Sequence, residues 1–294
     1  MLSLALSLVA AIGACTTDVT VSPASDGLRA TFALCAAVDH FQFDANDTPQ
    51  RSAAWQAPAG WSFDGAVLRR ADGATFRSFT LDLASDRRFY DRHYVAIDPV
   101  GRGGWAVHLP AFRGASSETR VRFRAFPRGD VVRFAGATTS ASSRWLPADN
   151  PQSHDLAYVG PARYIAPGPS VLIAGEEVPE WLRTQVLRDV NHAKERLTAR
   201  FGSPPRQAMT LIITSVSHWP THEYKGGVVG SDVIVAEMRG IDLSSPDDSI
   251  AGQITNLAAH ETVHLWNAGV RHGVSAMSSR TPIRNSRGRL CGTK

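Results

Sequence analysis

Apolar residues along this chain follow two different periods. Between residue 18 and about residue 145 they alternate. "SFTLDLAS" places Phe79, Leu81 and Leu83 on one side of an extended segment, and "GWAVHL" does the same with Trp105, Val107 and Leu109. "TRVRFRAF" alternates arginine with Val121, Phe123 and, less strictly, Ala125. Successive side chains of a strand point to opposite faces, so each run predicts a strand with one buried face. The runs are short and broken by turn segments such as "APAGW" and "DPVGRGG". That pattern predicts an antiparallel β-sandwich over residues 18–150. Arg120, Arg122 and Arg124 fall on the outer side and read as a solvated strand face. The polar, Pro-containing "TTSASSRWLPADNPQ" marks the expected domain boundary.

The second half changes period. In "VPEWLRTQVLRDVNHAKERLTARFG", Leu182, Val186, Val190, Ala193 and Leu197 share one helical face. Pro179 and Glu180 suit the start of that helix, and Gly202-Ser203-Pro204-Pro205 stops it. Two β runs follow, "AMTLIITS" and "GGVVGSDVIVAEM". "SSPDDSIAGQITNLAAHETVHLWNAG" then predicts a second helix. Ser245 is its expected cap, Pro246 its first residue, and Asp247 and Asp248 favour the positive end of the helix dipole. Ile250, Ile254 and Leu257 form its apolar stripe, and Gly269 is a plausible stop.

Composition changes the picture in one place. The 294 residues are 43% hydrophobic and 20% charged, enough for two modest domains with their own cores. The formal charge of +4 is uneven: Arg271, Arg280, Arg284, Arg287, Arg289 and Lys294 are the only charged residues after Val270. Removing these six from the 31 Lys and Arg leaves 25 basic against 27 acidic residues, a net of −2. The basicity belongs to the tail, so the chain carries no broad electrostatic footprint for nucleic acid.

Met1 to Ala14 is an apolar run too short to span a bilayer and of the length of a signal-peptide core. Ile12-Gly13-Ala14-Cys15 resembles a bacterial lipobox, with Cys15 as the lipidated residue. A plain secretory signal is the alternative. Either route exports the chain to the periplasm, the cell envelope or the medium, with the membrane engaged only through a lipid at Cys15. Cys35 and Cys291 then remain, no spacing demands a disulfide, and Cys35 in "ATFALCAAV" reads as a small buried residue.

The residues that carry chemistry lie on the second helix. His260 and His264 are four apart, so both project from one face and can reach one metal ion. Neutral imidazole is a good Zn2+ ligand, and zinc brings the pKa of a bound water down toward 7. Glu261 sits one residue round from the ligand face, where a general base is wanted. A helix whose histidines are satisfied within the core is the bland alternative. "SVSHWPTHEY" offers His218, His222 and Glu223, better read as a loop than as a second metal site. No Gly-x-Ser-x-Gly elbow or phosphate-binding glycine loop occurs.

"HETVHLWN" resembles the His-Glu-x-x-His-x-Trp-Asn motif of the glycyl-aminopeptidase family of gluzincin metallopeptidases. "APAGWSFDG" and "DHFQF" are similar to the β-rich domain that precedes catalysis there, and the likeness spans most of residues 36–270. It implies an α+β chain: the antiparallel β-sandwich, then an incomplete thermolysin-like α/β catalytic domain over 151–270. It also implies zinc on His260 and His264, Glu261 as base, Trp266 packing and Asn267 capping. "GGVVGSDVIVAEM" falls where such enzymes place a substrate-pairing edge strand. It lacks the Gly-x-Met-Glu-Asn pattern that reads a free amino terminus, so exopeptidase specificity is not supported.

The family also takes a third ligand, a glutamate on a later helix. After Glu261 this chain has no Glu or Asp, so two ligands stand where a catalytic zinc wants three. Residues 271–294 have no apolar period, and 28 Arg against 3 Lys in the chain indicates a GC-rich gene. Codons allowed for Leu290-Cys291-Gly292-Thr293-Lys294, read one base earlier, can encode Ala-Met-Trp-His-Glu, similar to the family's third-ligand segment. The tail is therefore expected to be frameshifted, with a naturally short disordered end as the alternative. The expected function is hydrolysis of peptide or protein substrates by a zinc peptidase, inactive in this truncated form. The competing expectation is an exported, non-enzymatic β-sandwich binding lipoprotein with a degenerate peptidase-like module.

Overall fold

The computed structural model describes residues 15–45, 48–85, 97–134, 136–142, 144–148, 156–168, 170–203, 209–216, 223–229, 233–263 and 266. These are mostly strands in several sheets, with few helices. In chain order they begin with β1 (Thr16–Ala24), β2 (Gly27–Val38), β3 (His40–Gln42), α1 (Thr48–Ala54), β4 (Trp55–Gln56), β5 (Trp61–Phe63), β6 (Val67–Arg70) and β7 (Phe76–Leu83). There follow β8 (Ile97–Val100), β9 (Gly104–His108), β10 (Glu118–Phe123), β11 (Asp130–Phe134), β12 (Ala137–Ser140), β13 (Leu146–Pro147) and β14 (Leu156–Pro161). The remainder is β15 (Ile165–Ala166), β16 (Ser170–Ala174), α2 (Glu180–Phe201), β17 (Met209–Val216), β18 (Glu223–Val229), β19 (Val233–Arg239) and α3 (Asp248–Val263).

Two sheets share the first core. One has the order β13-β10-β1-β2-β7-β4 and the other β12-β11-β14-β9-β8. The alternation that predicts strands here also names the inward residues. Phe79, Leu81 and Leu83 of β7 and Val107 of β9 are buried in one cluster with Val19, Val21 and Phe32. Phe32 stacks on Phe79 with ring centroids 4.4 Å apart, and Phe41 and Phe43 meet edge to face at 4.8 Å. The pairing is not wholly antiparallel, as the pattern suggested. β1 runs parallel to β10, with Val19 opposite Val121, because these strands are joined by a long excursion and no tight hairpin fixes their direction. The arginine stripe is a strand face, with partners. Arg120 pairs with Asp18 at 2.5 Å, Arg122 donates to Thr20 at 3.0 Å, and both guanidinium groups lie over Trp145.

β14 follows the polar segment expected to divide the chain, and it completes the second sheet between β11 and β9. The third sheet, β15-β16-β17-β19-β18, has β16, β17 and β19 parallel and β18 antiparallel at its edge. Both of its faces are covered. Leu211 and Ile213 of β17 pack with Leu182, Val186 and Val190 of α2. Ile212, Val233 and Val235 pack on the other side with Val100, Ala106 and Tyr158 of the second sheet. β17 is accordingly buried along nearly its whole length, as expected of a strand covered on both faces. Full burial of Leu182, Val186 and Val190 contributes about 1.5–3 kcal/mol each. Ala193 and Leu197, on the same stripe, are only half-buried, so α2 is anchored through its first half.

Polar contacts bind the layers together. Thr214 donates to Asp98 at 3.1 Å, and Arg133 donates to Thr210 at 2.9 Å. The Tyr164 hydroxyl accepts from the Arg102 amide and from Arg163, and donates to Glu176. That last bond holds the Glu176 carboxyl below the usual carboxylate range.

Candidate metal centre

α3 carries the first part of the motif, His260 to Val263, and its start differs in detail from the expectation. The cap is Asp247 rather than Ser245. The Asp247 carboxylate accepts the amides of Ser249 at 2.8 Å and Ile250 at 3.0 Å, and its carbonyl accepts the Ala251 amide at 2.8 Å. A carboxylate at this position satisfies two orphan amides and faces the positive end of the helix, which a hydroxyl two residues earlier does not.

Three contacts orient α3. Ile254 is buried against α2 and the third sheet, with Ile250 half-buried beside it. Thr255 donates to Asp189 of α2 at 2.5 Å. Just beyond α3, the Trp266 ring is packed on the same core and donates its indole N–H to the Gly202 carbonyl at 2.8 Å. Gly202 ends α2 with φ +79°, and its amide donates to the Thr198 carbonyl at 2.9 Å. The polar links join position 189 to 255 and position 202 to 266, so α2 and α3 lie side by side in the same direction. The packing that the resemblance implied for Trp266 is therefore present, together with a hydrogen bond that periodicity does not disclose.

On this frame His260 is an exposed residue of α3, away from buried Ile254 and Thr262. Glu261 is the next residue of the helix. α3 also approaches β18, the edge strand of the third sheet. Thus one imidazole lies at the surface of a helix that approaches the edge strand of the sheet. His264 and Asn267 lie outside the described residues, as do His218, His222 and all of 267–294. Among the described residues no group of three His, Cys, Asp or Glu is placed to hold a metal ion.

One feature contradicts the sequence reading outright. Cys35 is exposed rather than buried, and it forms a disulfide with Cys15. The apolar neighbours in "ATFALCAAV" misled because β2 turns Ala30, Phe32 and Leu34 inward, and the same alternation puts Cys35 on the outer face. No helix among the described residues is long and apolar enough to cross a membrane.

No protein-family model matches the chain, and no curated protein matches its sequence. Solved structures do match its shape. An aminopeptidase N family protein from Idiomarina loihiensis matches over 86% of this chain with a TM-score of 0.55 and 12% identity. This chain covers 48% of that protein, so it spans about half of its length. An M1 zinc metallopeptidase from Deinococcus radiodurans covers 86% of the chain and is itself covered over 64%, at 13% identity and a TM-score of 0.35. Aminopeptidase A from Legionella pneumophila, in complex with aspartic acid, covers 86% and is covered over 34%, at 8% identity and a TM-score of 0.44. The first of these shows a shared fold.

Proposed function

We propose that this chain is the β-rich front and first catalytic portion (18–150 and 151–270) of an exported, zinc-dependent peptidase of gluzincin type, with a motif that resembles that of the glycyl-aminopeptidases. The observation that carries the reading is that His260 is an exposed residue of a capped helix, α3, which approaches the edge strand of a mixed sheet. The shared fold with an aminopeptidase N family protein supports it. The donor set suits zinc, since imidazoles at helical spacing are ligands of the right softness and geometry.

His260 and His264 would hold the ion. Bound there, zinc supplies Lewis acidity, which brings the ionisation of water toward neutral pH and polarises a carbonyl. The Glu261 carboxylate takes the proton from the attacking water and delivers it to the departing amine. β18 presents main-chain amides and carbonyls along which an extended peptide can lie. Two ligands hold zinc weakly, so the chain itself is expected to be inactive.

Titration of the purified chain with Zn2+ by calorimetry tests this reading. One weak site is expected, lost in His260→Ala and in His264→Ala and retained in Glu261→Gln. Equal binding by all four proteins would refute the ligand assignment. Chelator-sensitive hydrolysis of a casein substrate by the chain would refute its inactivity.

A further inference from the structure

We infer that the sulfur of Cys15 belongs to a disulfide with Cys35 and that the exported chain is not held at a membrane by a lipid on Cys15. The inference rests on the leader-like run of residues 1–14 and is independent of the peptidase reading. The lipobox-like Ile12-Gly13-Ala14-Cys15 and a plain signal cut after Ala14 produce the same first residue. What separates the two routes is the fate of one sulfur atom. A thioether to a diacylglycerol and a bond to another cysteine exclude one another.

Two independent observations favour the disulfide. The first is register. β1 and β2 pair antiparallel with Asp18 opposite Ala33, and extending that register brings Cys15 and Cys35 within one position of each other. Their Cα atoms are 5.7 Å apart, in the middle of the usual range for bridged cysteines. The second is the lack of a tether. β1 begins at Thr16, Thr17 is 1% exposed, and Val19 is fully buried between the two sheets. One residue of extended chain reaches only about 3.5 Å. Acyl chains on Cys15 would press the end of the first sheet against the bilayer, with no flexible spacer to relieve it.

Forming the bond takes one proton from each thiol and two electrons in all. The electrons pass to a protein disulfide of the export compartment, which is left as a dithiol. Cys15 and Cys35 are both exposed and line an open cleft of about 590 Å³ with Ser116 and Ser117, so such a partner can reach them.

The test uses the whole chain, exported in a bacterial host and prepared without reductant. Free thiols are blocked with iodoacetamide in denaturant, and tryptic peptides are mapped before and after reduction. Cleavage at Arg29 and Arg51 separates Cys15 from Cys35, leaving peptides 15–29 and 30–51. The expected result is a joined 15–29/30–51 pair that separates on reduction, with neither cysteine alkylated beforehand and the protein in the soluble fraction. A Cys291→Ser variant is expected to keep the same pair. Three outcomes overturn the inference: a diacylglyceryl adduct on peptide 15–29 with Cys35 alkylated, both cysteines alkylated before reduction, or Cys15 joined to Cys291.

Discussion

Replacing Thr255 with valine removes one proton donor and almost no volume, which isolates the link between the two helices. In the structure Thr255 donates to Asp189 at 2.5 Å, and the Asp189 side chain is only 13% exposed. A hydrogen bond to a charged, largely desolvated acceptor contributes about 1.5–3 kcal/mol. Arg188 also donates to Asp189, at 3.2 Å, but its own side chain is 69% exposed, so it compensates only in part. Thr255→Val is therefore expected to cost about 2 kcal/mol, which for a chain of this size lowers Tm by roughly 4–8 °C. Asp189→Asn keeps an acceptor oxygen and is expected to cost about half as much. Urea unfolding monitored by circular dichroism gives the free energies, and hydrogen exchange of α3 amides locates the loss. A Thr255→Val cost below about 0.5 kcal/mol, or an Asp189→Asn cost exceeding it, would refute the assignment.

Other outcomes follow from the same contacts. Asp247→Ala removes the α3 cap and is expected to cost about 1 kcal/mol in urea unfolding, with Asp247→Ser recovering most of it. Asp64 accepts the amides of Val67 at 2.7 Å and Ala66 at 2.8 Å, and these bonds lower its pKa. Its contribution is thus full above the ordinary carboxylate range and lost as pH falls through the depressed folded value. The Tm gap between wild type and Asp64→Ala should be constant from pH 7 to about 5 and close below about 4, the ordinary Asp pKa. Reducing the disulfide removes a cross-link between residues 20 apart in sequence and is expected to cost about 3 kcal/mol on chain-entropy grounds, read as a Tm loss on adding a phosphine reductant. A Cys15→Ser/Cys35→Ser double variant whose Tm is insensitive to reductant serves as the control.

How much of this was legible in the sequence depends on whether a property is local. Period-two runs named the buried face of β7, which has one side in a core, and one of the two buried faces of β9. Leu182, Val186 and Val190 were readable because α2 lies on a sheet along that stripe. The helix under His260 was readable because its apolar stripe and acidic start are local signals. The parallel β1–β10 pair was not, since strand direction is set by the path between distant segments. The Cys15–Cys35 bond was hidden because only the pairing of β1 with β2 brings those two residues together, and the Thr255–Asp189 and Trp266–Gly202 links join segments 60 or more residues apart in sequence. Asp247 was passed over because Ser245 and Asp247 both satisfy the preference for a cap, and only the amide geometry chooses between them.

β16, β17 and β19 are covered on both faces, and that bears on how this chain could be reused. Ile212, Val233 and Val235 find their apolar surroundings in Val100 and Ala106, from the opposite side of the chain's polar midsection, and in Tyr158, just after it. An engineer transplanting the helix-bearing half alone would carry away a sheet wet on one side, with Thr210 and Thr214 stripped of Arg133 and Asp98. The smallest portable unit therefore includes β8, β9, β11 and β14, and shuffling libraries should place their crossovers outside that block.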